Sequence, residues 1–71
     1  MANQIKSALT IIRRRQVEEA TGLSRSQLYL RMKSKTFPQS VRLSVRSVGW
    51  RLQDIEDFLV DPANYRVSED V

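Results

Sequence analysis

The segment Thr21-Gly22-Leu23-Ser24 constrains the fold most, because it places a helix stop and a helix start within four residues. Gly22 supplies the left-handed residue that ends a helix. Ser24-Arg25-Ser26-Gln27 has the capping-box spacing, in which the serine hydroxyl accepts from the N–H of Gln27 and the glutamine amide reaches back to Ser24. Upstream, Val17 and Ala20 recur at i and i+3 among good helix formers, which predicts a helix over residues 14–21. Downstream, Leu28 and Met32 lie one turn apart with Tyr29 beside them, and no helix runs easily through Phe37-Pro38, which predicts a second helix over 25–34. Two short helices joined by a tight turn, with Leu23 plugging the space between them, outline a helix-turn-helix of the kind that reads DNA.

The flanks fit around that unit. Leu9-Thr10-Ile11-Ile12 reads as a short extended segment whose two isoleucines anchor the core. Val41 and Leu43 alternate with Arg42 and Ser44, and Val48 and Trp50 with Gly49 and Arg51, the period of two paired strands with one buried face. The tip falls near Val45-Arg46-Ser47, where no Asn-Gly or Asp-Gly fixes the turn type. Leu52, Ile55, Phe58 and Leu59 share one face of a third helix, with Asp54, Glu56 and Asp57 on the other and Asp61-Pro62 at its end. The expected organisation is a flexible N-terminal arm (1–9), a winged helix-turn-helix domain (10–60) and an acidic C-terminal tail (61–71) that frays unless Tyr65 docks on the body. The expected fold class is mainly α with a small β-hairpin.

Composition narrows the function. A chain of 71 residues supports one small core, and without cysteine or histidine it has neither a disulfide framework nor the usual zinc ligands. No metal or cofactor is expected. Nor is an enzyme, since the common bases and nucleophiles are missing and Asp54, Glu56 and Asp57 read as a solvated helix face. No stretch approaches the roughly 18 apolar residues of a membrane span, and the first residues lack the apolar run of a signal peptide, so a cytoplasmic, nucleoid-associated protein with no membrane partner is expected.

Charge is divided along the chain. Residues 13–51 hold ten basic and two acidic residues, a net +8, whereas residues 52–71 hold one basic and six acidic, a net −5. Such asymmetry points to a polyanion, and with a helix-turn-helix to double-stranded DNA, although excess arginine and lysine can serve solubility alone. The second helix (25–34) is expected in the major groove and the hairpin (41–51) on the adjacent backbone or minor groove.

The candidate contacts follow from those placements. Ser24, Arg25 and Ser26 sit at the positive end of the second helix, with Arg25 placed for a guanine. Gln27 has two competing uses, the cap and an adenine contact. Tyr29 serves either as core filling or as a phosphate donor whose ring packs, and Leu30 either as an ordinary exposed leucine or against a thymine methyl. Arg31, Lys33 and Lys35 read as phosphate neutralisers, and Arg42 and Arg46 as wing contacts unless simply solvated. The run Arg13-Arg14-Arg15 opposes the dipole of the first helix, a local cost that favours a phosphate clamp, with Arg14 and Arg15 as its contacts.

These residues resemble the AlpA family of prophage regulatory proteins over residues 11–59. The similarity lies in Arg15-Gln16-Val17-Glu18-Glu19-Ala20-Thr21-Gly22-Leu23-Ser24-Arg25-Ser26-Gln27-Leu28-Tyr29, in Phe37-Pro38, in Val41-Arg42-Leu43, in Ser47-Val48-Gly49-Trp50-Arg51 and in Ile55-Glu56-Asp57-Phe58-Leu59. The resemblance implies a MerR/excisionase-like winged helix with Trp50 packed under the third helix. It also implies a regulator that either switches on integrase genes or acts as a recombination directionality factor (excisionase). Integrase and further copies of the chain on DNA are then candidate partners. The chain departs from the family pattern at Leu30-Arg31, and at Lys35-Thr36, where a glycine-containing turn is common. A reading of another class is a protein-binding inhibitor or antirepressor that docks through the acidic third helix and tail.

Overall fold

The computed structural model describes residues 9–67 of the chain, so most of the expected N-terminal arm and the last four residues of the tail lie outside the described residues. The element order is β1 (Ile11–Ile12), α1 (Arg14–Thr21), α2 (Arg25–Lys33), β2 (Val41–Ser44), β3 (Ser47–Arg51) and α3 (Leu52–Val60). This is a winged helix-turn-helix, mainly helical with a small antiparallel sheet, as the periodicity predicts.

The α1–α2 turn forms through the residues that announce it. Gly22 takes a φ of 76° and its N–H donates to the Glu18 carbonyl at 2.8 Å, closing α1. Thr21 Oγ1 donates to the Val17 carbonyl and accepts from the N–H of Leu23, so the turn is bonded at each residue before α2 begins. The Ser24–Gln27 capping box is complete, with Gln27 N–H to Ser24 Oγ at 3.2 Å and Ser24 N–H to Gln27 Oε1 at 2.9 Å. At the start of α1, Gln16 makes only half of such a box, accepting from the Arg13 N–H at 2.9 Å, since an arginine side chain has no acceptor to return.

β3 is the central strand of the order β1-β3-β2, pairing Ile12 with Trp50 on one side and Val41 with Gly49 on the other. The paired β1 strand is more than the extended segment read from sequence. Just before it, the Thr10 carbonyl accepts from the N–H of Leu52 at 2.8 Å, which joins the start of α3 to the sheet. The turn Val45-Arg46 contains no positive φ, so it is neither primed hairpin type; a register shift between Arg42 and Ser44 bends the strand there.

Val17, Leu28, Phe37, Trp50, Ile55 and Phe58 form the buried core, with Ile12, Leu23, Met32, Val48 and Tyr65 packed around it. Trp50 satisfies its indole N–H on the Pro38 carbonyl at 3.1 Å, which lets the whole ring be buried. Phe37 meets Phe58 edge-on at 4.7 Å, and Phe58 meets Tyr65 at 5.5 Å.

The apolar expectations need correction at four residues. Ile12 anchors the core but Ile11, one residue away on a two-residue period, faces outward. Leu43 is exposed because the register shift takes it out of the alternation, and it leans instead over Gly49. Ala20 and Leu59 lie at the solvent edges of their helices. The chain beyond α3 comes back across the molecule: Tyr65 packs on Phe58, and the N–H of Val67 donates to the Lys35 carbonyl at 2.9 Å. Burial, then the charges of Asp54 and Asp57, raise the Tyr65 hydroxyl above its ordinary value.

Candidate nucleic-acid interface

α2 buries Leu28 and tucks Met32 against the core, which leaves Arg25, Ser26, Leu30 and Lys33 outside. The exposed face therefore begins at the N-terminal turn, where the helix dipole is positive and backbone N–H groups are free of intrahelical partners. Among the described residues no side-chain hydrogen bond or ion pair holds Arg25 or Lys33, so both heads are available to an anion. Gln27 has its amide oxygen on the Ser24 N–H. A bidentate adenine contact needs that oxygen as well as the amide nitrogen, so capping and base reading exclude one another at this residue.

The cations at the other end of α2 divide. Arg31 is half-buried, its guanidinium near the carbonyls of Thr36 (3.4 Å) and Pro62 (3.5 Å) and 5.6 Å from the centre of the Phe58 ring. It thus ties α2 to α3 and the returning tail, a different surface from that of Arg25. Lys35 occupies the turn after α2 with a φ of 64°, and its backbone meets both Met32 and Val67.

The wing arginines divide similarly. Arg42 turns back on its own hairpin and donates to the Val45 carbonyl at 3.1 Å, bracing a turn that lacks the usual turn residues. Arg46 has no such partner among the described residues. It lines an open cleft of about 320 Å³ with Arg13, Arg14, Arg15, Tyr29 and Val48. Arg13 is fixed there by its Nε–H to the Val48 carbonyl at 3.1 Å, and Arg14 pairs with Glu18, the one ion pair among the described residues. The start of α1, the middle of α2 and the wing tip therefore meet at one place.

Of the residues expected to contact DNA, the structure gathers Arg14, Arg15, Tyr29 and Arg46 in this cleft and places Ser24, Arg25, Ser26 and Lys33 on the exposed part of α2. It places Arg31, Lys35 and Arg42 in contacts within the protein. Arg13 and Val48 were missing from the expected contacts. Only the arginine run hinted at the first, and nothing local could indicate the second, because it enters through the strand register.

Two helices in a tight turn, a following hairpin and a closing helix define the winged helix-turn-helix class, whose members present the second helix to the major groove. Within that class the chain belongs to the family described as prophage CP4-57 regulatory protein (AlpA), whose model matches residues 10–61, a family of DNA-binding regulators. No curated protein and no solved structure gives a significant match to the chain.

Proposed function

We propose that the protein is a sequence-specific duplex-DNA-binding prophage regulator, acting on transcription of integrase and excision genes or as a recombination directionality factor. The observation that carries this reading is the outer face of α2, where Arg25, Ser26, Leu30 and Lys33 stand exposed at and beyond a capped helix start. Beside it lies a wing whose tip arginine has no partner among the described residues. In this reading α2 enters the major groove. Arg25 reads guanine, the N-terminal N–H groups with Ser24 and Ser26 meet phosphate, and Lys33 neutralises the backbone further along. Leu30 is 64% exposed at the middle of that face, where a thymine methyl is the apolar partner a groove offers.

A protein this small reaches few phosphates, so a single copy binds modestly, and several copies on repeated sites give the occupancy a regulator needs. Both proposed roles use the same contacts and differ only in where the site lies. Selection of sites from a randomised duplex library, at about 0.15 M salt where non-specific attraction is weakened, tests the reading. An enriched motif establishes a sequence reader. A flat outcome overturns it and favours a protein partner for the acidic face of α3.

A further inference from the structure

We infer that the cleft between the start of α1, Tyr29 and the wing tip seats a single phosphate group, and that in the complex this is one phosphodiester of the DNA strand flanking the groove that α2 enters. The inference rests on the DNA-binding reading for the source of the phosphate, and on the cleft alone for its chemistry. Four arginines line the cleft, and the one carboxylate paired with any of them among the described residues is that of Glu18 on Arg14.

The four have different duties. Arg13 is held by the Val48 carbonyl and forms a fixed positive wall between α1 and β3. Arg14 is partly neutralised by Glu18. Arg15 and Arg46 have no hydrogen-bond or ionic partner among the described residues, yet they approach the same space from elements 31 positions apart in sequence. Two unpaired guanidiniums facing one cavity repel each other unless an anion lies between them, and planar donor forks match phosphate oxygens. Tyr29, 38% exposed with its ring against Trp50 at 6.4 Å, lines the same space and brings a hydroxyl donor on a rigid stem. A cleft of about 320 Å³ is many times the space that one water needs, so a phosphodiester enters with water around it. The first turn of α1 carries no acid, which leaves the positive end of that helix uncompensated beside the same space.

One phosphate shared by two arginines makes a quantitative expectation that two separately held phosphates do not. The slope of log K against log salt becomes shallower by about 0.9 for each phosphate the protein ceases to neutralise. The double variant Arg15→Ala/Arg46→Ala should therefore drop about one such step relative to the wild type, whereas arginines on separate phosphates drop about two. Both side chains are exposed and unbonded, so the variants fold, which circular dichroism checks.

The decisive experiment scans a duplex with single neutral methylphosphonate linkages. The expected result is one position that weakens the wild type several-fold and leaves the double variant no weaker than it already is. If the double variant stays sensitive at every position where the wild type is, or drops two steps of slope, the shared seat is overturned. A parallel titration with inorganic phosphate, read on the Tyr29 ring and arginine Nε–H resonances, separates the two claims. Shifts absent from the double variant together with no duplex binding mean that the DNA reading fails and the cleft takes a free phosphate compound. No shifts together with duplex binding unaffected by the double substitution mean that the seat fails while the DNA reading stands.

Discussion

At the scale of single residues, Gly49 and Lys35 show how closely the backbone is specified. A Cβ at Gly49 would lie 2.5 Å from Ile11 Cγ2 and 3.0 Å from the Ile12 carbonyl oxygen, because β3 runs between β1 and the exposed Leu43. The isoleucine methyl can turn aside, but the backbone oxygen cannot without moving the strand. Gly49→Ala should lower stability by about 1–3 kcal/mol, the usual range for overpacking, as read by urea denaturation; an unchanged midpoint would mean that β1 is not held on β3. Lys35 presents the reverse case. It carries the only positive φ of a non-glycine residue among those described. A left-handed L-residue costs about 1–2 kcal/mol, and glycine gives back about half of that through its freer unfolded state. Lys35→Gly should relieve up to about 1 kcal/mol of that backbone cost, which alone would raise Tm by roughly 4–8 °C in a domain of this size, less what the further contact of Lys35 contributes; a fall in Tm would make that contact the larger of the two.

At the scale of elements, the helices were legible in the sequence because each depends on neighbours a few residues away. The Thr21–Ser24 punctuation, the capping box and the Leu28/Met32 spacing all reappear as structure, and Phe37-Pro38 marks where α2 has ended. The sheet was only half legible. Alternation revealed β2 and β3, but the pairing of Ile12 with Trp50 joins residues 38 apart, and the shift that turns Leu43 outward arises from a tip without turn residues. For the same reason the sequence could name the candidate cations and not sort them, since Arg31 is drawn away by Thr36, Phe58 and Pro62, and Arg42 by Val45. The capping box of α2 carries its own prediction. Ser24→Ala removes the acceptor of the Gln27 N–H and should cost about 0.5–2 kcal/mol in thermal unfolding. The Gln27 amide oxygen keeps its donor in this variant, since the backbone N–H of residue 24 remains, so the selected motif should stay unchanged at every position; a motif that shifts would mean that the Ser24 hydroxyl itself takes part in reading the site.

At the scale of the whole molecule, charge pulls stability and binding in opposite directions. Residues 13–51 carry a net +8, and the structure shows a single ion pair, Arg14–Glu18, to offset it among the described residues. Arg13, Arg31 and Arg42 rest on backbone carbonyls, which accept a hydrogen bond but carry no neutralising charge, and four arginines line one cleft. Their repulsion is a tax on the folded state that dissolved salt screens, the Debye length shrinking from about 10 Å at 0.1 M to about 3 Å at 1 M. The same salt restores the counterions that DNA binding releases, and so weakens the complex. Raising salt from low to high concentration should then increase the Tm of the free protein while affinity for duplex falls along a straight line in log K against log salt. A core stabilised by many surface ion pairs would show the contrary sign in the first measurement, since screening would loosen it. Thermal scans and binding titrations on one salt series decide between these. A Tm that falls with salt would place the fold's electrostatic support in pairs other than Arg14–Glu18, and an affinity indifferent to salt would remove phosphate from the account of what this surface is for.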